Sequence, residues 1–265
     1  MKPRRDFRKP FHKKSASGTS WEAVSDWYGG HLKKTGTFQE DIVFPGALRL
    51  LAPKSSGRYL DIACGEGSFA RLLAKGRNVE IFGVDAAPSL IAQAKRQVPS
   101  GKFETMDAAE IGTALPASSI DGAVCILAIQ NIEKFEDVIA GAGKLLKSGA
   151  PFVIVMNHPS FRQPRQSGWG WDEQRKLQYR RVDKYLSSYN APIQAHPGAD
   201  AKVVTWSYHR PLSAYAAALA KSGFVIGDIE EWVSHRVSDS GPKARAENAA
   251  RVEIPMFMAI KAIKK

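Results

Sequence analysis

The 265-residue chain holds only two cysteines, Cys64 and Cys125, each inside an apolar run. A disulfide framework is excluded, and a reducing, cytoplasmic compartment is the simpler expectation. No uninterrupted apolar stretch approaches the ~20 residues that cross a bilayer, so no membrane span is expected. The opening MKPRRDFRKPFHKK has charges with no apolar core behind them and does not read as a secretory signal. No internal repeat is visible. The six histidines, His12, His31, His158, His196, His209 and His235, never fall at i, i+4 with acids arranged as ligands, and no metal site is predicted. What remains is an ordinary globular makeup, 44% hydrophobic and 24% charged, which excludes disorder for the chain as a whole. A chain of this size buries roughly 70–75% of its extended surface. It fits one large α/β domain or two small ones.

Acidic residues are the scarcer charge, and the formal net charge is +12. Half of that excess sits in the first fourteen residues, where Lys2, Arg4, Arg5, Arg8, Lys9, Lys13 and Lys14 face Asp6 alone. With its prolines and the following Ser15-Ala16-Ser17-Gly18, the stretch 1–19 reads as a flexible basic tail. Two readings of it stay open: contact with an anion such as RNA, and simple solubilisation. A second basic region spans 162–184 and follows the last strand of the regular core.

From residue 20 onward the chain reads as one domain. Helical spacing covers 21–33 and 40–51. Strands at 58–63, 79–85, 102–107, 120–128 and 150–156 then alternate with helices at 67–75, 88–97 and 133–147. Apolar strands alternating with helices imply a parallel sheet covered on both faces. Such sheets bind ligands beyond the carboxyl ends of their strands. After Met156 the pattern breaks. Residues 157–205 carry one expected helix, 172–187, and read as an insertion covering a substrate. Regularity returns with a strand near 203–208, a helix from Pro211 to Ser222 and strands near 224–233 and 253–263. Polar residues 236–250 read as a loop.

The sharpest local feature is Leu60-Asp61-Ile62-Ala63-Cys64-Gly65-Glu66-Gly67-Ser68-Phe69-Ala70, a strand turning through two glycines into a helix. Glycine permits positive φ and close approach of a ligand to the backbone. Two templates compete: the dinucleotide fingerprint, which is weak alone, and acid-x-Gly-x-Gly-x-Gly, here with Ala63 at the first glycine. Three acids decide between them. Asp85, ending the second strand, can accept both ribose hydroxyls. Asp107, ending the third, suits an adenine amine, with the Ala108 amide for a ring nitrogen. Asp61 would repel a pyrophosphate and attract a sulfonium or an ammonium. Together they point to a cationic nucleoside without phosphates.

On these residues the chain resembles the class I S-adenosylmethionine-dependent methyltransferases, in the group of ubiquinone/menaquinone-type small-molecule enzymes. Leu60–Ala70 resembles the family's glycine-rich motif, Val84-Asp85-Ala86 its ribose-binding acid and Met106-Asp107-Ala108 its adenine-binding acid. Ile120–Ile132, including Leu127, is similar to the segment facing the methyl group. Leu145-Leu146-Lys147-Ser148-Gly149-Ala150 resembles a family turn, and Tyr208-His209-Arg210-Pro211-Leu212 the family's late helix. Trp27-Tyr28 resembles the aromatic pair of an N-terminal helix that closes over the cofactor. The resemblance implies a Rossmann-like, seven-stranded, mostly parallel sheet whose closing strand, 253–263, is antiparallel. It also implies S-adenosyl-L-methionine as cofactor, held by Tyr28, Asp61, Ala63, Gly65, Gly67, Asp85, Ala86, Asp107, Ala108 and Leu127.

Methyl transfer from a sulfonium is an in-line displacement that rests on positioning and desolvation, with a base where the nucleophile is an oxygen or acidic carbon. Asn131 and Gln130 can orient an acceptor but cannot act as bases. His158 reads either as a base or substrate ligand or as a turn-capping loop histidine. His209 and Arg210 can reach an anionic substrate. Arg162, Trp169 and Trp171 read either as a lid over a planar or anionic substrate or as fasteners of the insertion. The expected function is methylation of a small, planar or anionic metabolite at oxygen or carbon. The competing readings are an RNA methyltransferase using the basic tail and a non-catalytic cofactor-binding module. Against RNA stand the absence of an Asn/Asp-Pro-Pro-aromatic tetrapeptide after the fourth strand and of a cysteine pair for base C5 chemistry.

Overall fold

In a computed structural model, described for Glu22 and residues 36–194 and 204–265, a π-helical turn at Gln39–Val43 leads into α1 (Phe44–Leu51). The alternating core follows: β1 (Ser56–Ile62), α2 (Ser68–Ala74), β2 (Asn78–Asp85), α3 (Pro88–Gln97), β3 (Lys102–Thr105), β4 (Gly122–Ile126), α4 (Phe135–Leu145) and β5 (Pro151–Asn157). Pro88 opens α3, where its missing N–H costs nothing and its fixed φ suits a first turn. The basic tail and the expected helix 21–33, with Trp27 and Tyr28, lie outside the described residues. Glu22 is described: its carboxylate accepts hydrogen bonds from the Ser89 amide and hydroxyl at 3.2 and 3.0 Å, at the start of α3.

Seven strands form one sheet in the order β3-β2-β1-β4-β5-β11-β10, with β10 at Phe224–Trp232 and β11 at Phe257–Lys264. Strands β1 to β5 pair parallel, and β11 runs antiparallel to both β5 and β10. The strand order reverses between β1 and β4, which opens a crevice at their carboxyl ends. Two apolar clusters cover the sheet's faces. One buries Ile62, Cys125 and Ile154 against α4 and α5 (Leu212–Lys221), and the other buries Val124, Val153 and Val155 against α1, α2 and α3.

Two expectations are overturned. Residues 172–187 are not a helix. Residues 172–182 belong to a β-hairpin, β6 (Ser167–Asp172) with β7 (Leu177–Val182), in register Trp169↔Arg180 and Gly170↔Tyr179, and 183–187 are irregular. The Asp172 carboxylate accepts the Gln174 and Arg175 amides at 3.0 and 2.9 Å, an Asx turn that competes with helix formation. Lys176 closes the turn at φ +48°. The alternation Ser-Gly-Trp-Gly-Trp-Asp carries a period of two, and a Cβ on Gly170 would lie 2.3 Å from the Tyr179 ring that covers it. Conversely, the expected loop 236–250 contains helix α6 (Ala244–Glu253), an alanine-rich segment with strong helix propensity. It buries only Ala250, so it lacks an apolar stripe to read. α6 packs against β7. A second hairpin, β8 (Tyr189–Gln194) with β9 (Val204–His209), completes the insertion.

Candidate active site

Beyond the carboxyl ends of β1, β2 and β4 lies a cavity of about 500 Å³. Its walls include Ala63, Gly65, Asp85, Ala86, Asp107 and Ala108, with Leu127 and Asn131 opposite. A polypeptide turn holds this shape at a cost. Ala63 (φ +56°) and Leu127 (φ +52°) both take the left-handed conformation that non-glycine residues avoid. Both line the cavity, so the strain sits where a ligand approaches the backbone. Gly67 (φ +87°) is confined further, since a Cβ there would meet the Ala94 Cα of α3 at 3.1 Å. Gly67 packs the turn against that helix and does not line the cavity.

The three acids have three environments. Asp85 accepts the Gly65 and Ala87 amides at 2.9 Å each, which fixes the glycine turn onto the end of β2. Burial raises its pKa, and the amides from Ala87, Gly65 and Ala86 oppose that rise. Asp107 lies two residues past β3 rather than at its end. It accepts the Ala109 amide at 2.9 Å as the cap of a short 3₁₀ turn and is exposed at the cavity rim. Asp61 is 2% exposed, and its Oδ2 has no hydrogen-bond partner. Burial, then the Asp85 charge, pushes its pKa up to about 8. With Glu66, Ser68 and Phe69, Asp61 lines a small side cavity of about 40 Å³ that shares Ala63, Gly65, Ile126 and Leu127 with the large one. A buried carboxylate oxygen without a donor calls for a cationic or hydrogen-bond-donating group.

The other sequence-predicted residues divide. Asn131 lines the cavity, and its amide makes one long contact to the Leu127 carbonyl, 3.4 Å. Gln130 donates to that carbonyl at 2.8 Å and turns into a neighbouring chamber of about 30 Å³ with His158, Arg162, His209 and Arg210. Tyr208 lines both spaces. Arg210 braces the cavity wall, donating to the Ile132 and Glu133 carbonyls at 2.9 and 2.6 Å with its guanidinium 4.2 Å from the Phe135 centroid. Trp169 and Trp171 stand on the first hairpin and line neither space.

The two histidines differ in their free atoms. His158 accepts the Ser160 amide at Nδ1, 3.1 Å, so Nε2 carries the proton that meets Glu231 at 2.5 Å. Both its nitrogens are engaged. The His209 Nε2 faces the Tyr185 carbonyl at 2.7 Å, which can only accept. Nε2 therefore holds the proton and Nδ1 keeps a lone pair. Burial lowers the pKa of both rings.

Sequence reasoning missed Trp206 and Tyr208, which line the cavity from β9. The signal was present: Val204–His209 alternates, with Thr205, Ser207 and His209 buried on the opposite face. Tyr208 and His209 close that strand, and α5 begins only at Leu212. Ile132, the last residue of the Ile120–Ile132 segment, lines the cavity too, as do Leu90, Glu133 and Lys134, which carried no motif.

Residues 60–154 match the family model described as "Methyltransferase domain". An S-adenosylmethionine-dependent methyltransferase from Mesorhizobium loti superposes with TM-score 0.68 at 27% identity, covering 86% of this chain and 99% of that one. Residues 60–154 thus carry a methyltransferase domain, in a fold shared with S-adenosylmethionine-dependent methyltransferases. Among curated relatives, the chain is 30% identical over 132 residues to a 2-phytyl-1,4-naphtoquinone methyltransferase from Synechococcus elongatus, 45% of this chain and 56% of the relative. It is also 30% identical over 112 residues to an S-adenosyl-L-methionine-dependent Diels-Alderase from Talaromyces variabilis, 40% of this chain and 38% of the relative. The aligned parts thus span little more than half of these relatives at most. The cofactor S-adenosylmethionine fits the residues present. Asp85 and Asp107 offer carboxylates to a nucleoside, and the orphaned Asp61 Oδ2 suits positive charge. No helix among the described residues is long and apolar enough to cross a membrane.

Proposed function

We propose that the chain is a methyltransferase that moves the methyl group of S-adenosylmethionine to oxygen or carbon of a small, planar or anionic molecule. The carrying observation is the cavity at the sheet's topological switch, where Asp61, Asp85 and Asp107 surround strained backbone at Ala63 and Leu127. When bound, the cofactor supplies a methyl group already activated on a sulfonium. The chain's own task is then to hold, orient and dry the reactants. Asp85, Asp107 and the Ala108 amide hold the nucleoside, and Asp61 faces the positive end. Trp206 and Tyr208 form the wall that excludes water and offers aromatic faces to a planar acceptor. Asn131 orients the acceptor group. His209, neutral and with Nδ1 open, lines the neighbouring chamber that meets the cavity at Tyr208, and takes the proton from a nucleophile that reaches it there. His158, with both nitrogens engaged, positions the loop after β5.

The test uses the whole chain. Calorimetry with S-adenosylhomocysteine reads the cofactor site. Radiolabelled methyl donor, incubated with cell extract separated into metabolite, RNA and protein pools, reads the acceptor. Label in the metabolite pool is the expected result. Label in RNA overturns the small-molecule reading, and tight cofactor binding with no labelled product in any pool overturns the enzymatic one.

A further inference from the structure

The first hairpin and its neighbours gather positive charge that makes no direct ion pair among the described residues, the Glu247 carboxylate reaching Arg251 only through the Ser238 hydroxyl. The guanidinium carbons of Arg162 and Arg180 lie 5.3 and 5.2 Å from the Trp169 ring centroid. Arg162 donates through Nε to the Pro255 carbonyl at 3.2 Å. Arg180 donates to the Phe161 carbonyl at 2.6 Å and to the Ser167 hydroxyl at 2.8 Å. A guanidinium has about five N–H donors, so both forks keep donors to spare. Arg251, from α6, reaches the Ser238 hydroxyl at 3.0 Å, and its buried Nε has no partner. No carboxylate among the described residues forms an ion pair with any of the three. Burial, then repulsion from Arg180 and Arg251, pulls the pKa of Arg162 down to about 10. Like charges crowded in a partly dry site are unfavourable alone and become favourable around a counter-ion. Planar forks with spare donors match the oxygens of a carboxylate or phosphate.

Arg162 joins this cluster to the interior, because it also lines the chamber shared by His158, His209 and Tyr208. We propose that Arg162, Arg180 and Arg251 hold the carboxylate or phosphate group of a small-molecule methyl acceptor, with the Trp169 indole as one wall. The role as acceptor site rests on the methyltransferase reading above, whereas anion binding itself does not.

The experiment titrates the full chain by calorimetry at low ionic strength, with and without S-adenosylhomocysteine. The probes are tricarballylate, for carboxylates, and inorganic phosphate. Binding of at least one is expected, weakened about tenfold or more in Arg180→Gln and in Arg251→Gln, each checked for an unchanged circular dichroism spectrum. The exposed basic residues Arg175 and Lys184 serve as the control for bulk charge. Equal weakening in Arg175→Gln/Lys184→Gln overturns the proposal. So does S-adenosylhomocysteine binding with neither probe bound, which leaves the methyltransferase reading standing. Binding of a short single-stranded RNA with neither small anion also overturns it. A probe that binds to a chain unable to bind S-adenosylhomocysteine keeps the anion site and removes its role in methyl transfer.

Discussion

Strand β5 buries Phe152, Val153, Ile154 and Val155 completely, whereas the hairpin that follows leaves Trp169 38% and Tyr179 44% exposed. The sheet is held by apolar contact on two faces, and each strand between the edge strands β3 and β10 is positioned by neighbours on both sides. The hairpin is held by turn chemistry, cation–π contacts and a polar helix. In the sheet, hydrophobicity alone fixes location. In the insertion, location follows from particular side chains meeting across long sequence separations. The cavity lies where the two regimes meet: a strained backbone floor from the sheet and an aromatic wall from β9.

Four experiments would break or sharpen this contrast. The largest effect is expected at His209. His209→Gln should lower kcat by about 10²–10⁴-fold and leave S-adenosylhomocysteine affinity unchanged by calorimetry. In the wild type, activity should fall only below the ordinary histidine range of about 6.5, because burial lowers this pKa and the ring stays neutral to lower pH. An intact kcat removes the insertion from the chemistry.

Next comes stability. Ile62→Ala, at a fully buried position, should cost about 2–5 kcal/mol in urea unfolding. Trp169→Ala, partly exposed, should cost less, ~1–2 kcal/mol. The reverse order would mean that the hairpin is part of the core.

Asp85→Ala should weaken S-adenosylhomocysteine binding by about 1.5–3 kcal/mol, since it removes a ligand carboxylate and frees the Gly65 and Ala87 amides. Arg180→Gln should leave that affinity alone. Similar losses for both would erase the division between floor and insertion.

The smallest effect concerns Asp61. Its carboxyl titrates near 8 in the ligand-free fold against an ordinary value of 3.8. Between those values the folded chain holds a proton that the unfolded chain releases. This group's penalty is therefore absent below the lower value, grows as pH rises and is complete above about 8. Asp61→Asn should flatten that part of the melting-temperature profile. The cationic cofactor should bind more weakly as pH falls below about 8, because the carboxyl must ionise to meet it. A melting profile identical in wild type and variant would contradict the assignment.

How much of this was legible beforehand follows the same divide. The helix from Pro88 to about Gln97 was expected, because proline at the start and a buried apolar face mark a helix locally. Asp61, Asp85 and Asp107 could be placed because strand ends are where a parallel sheet binds ligands, although Asp107 proved to cap a turn two residues further on. The 172–187 segment was misread because its charged residues fit a helical spacing as well as a strand alternation, and the deciding contacts, Asp172 with its turn amides and Tyr179 over Gly170, are not periodic features.

By itself the sequence determined the parallel core, the glycine turn and the three acids, since each depends on neighbours close along the chain or on apolar runs that must be buried. Only the tertiary structure decided that Trp206 and Tyr208 wall the cavity, that His158 has both nitrogens engaged while His209 keeps one lone pair, and that Arg162 and Arg180 meet over one indole. Those arrangements join residues far apart in the chain through hydrogen-bond direction and packing, and neither is written in composition or period.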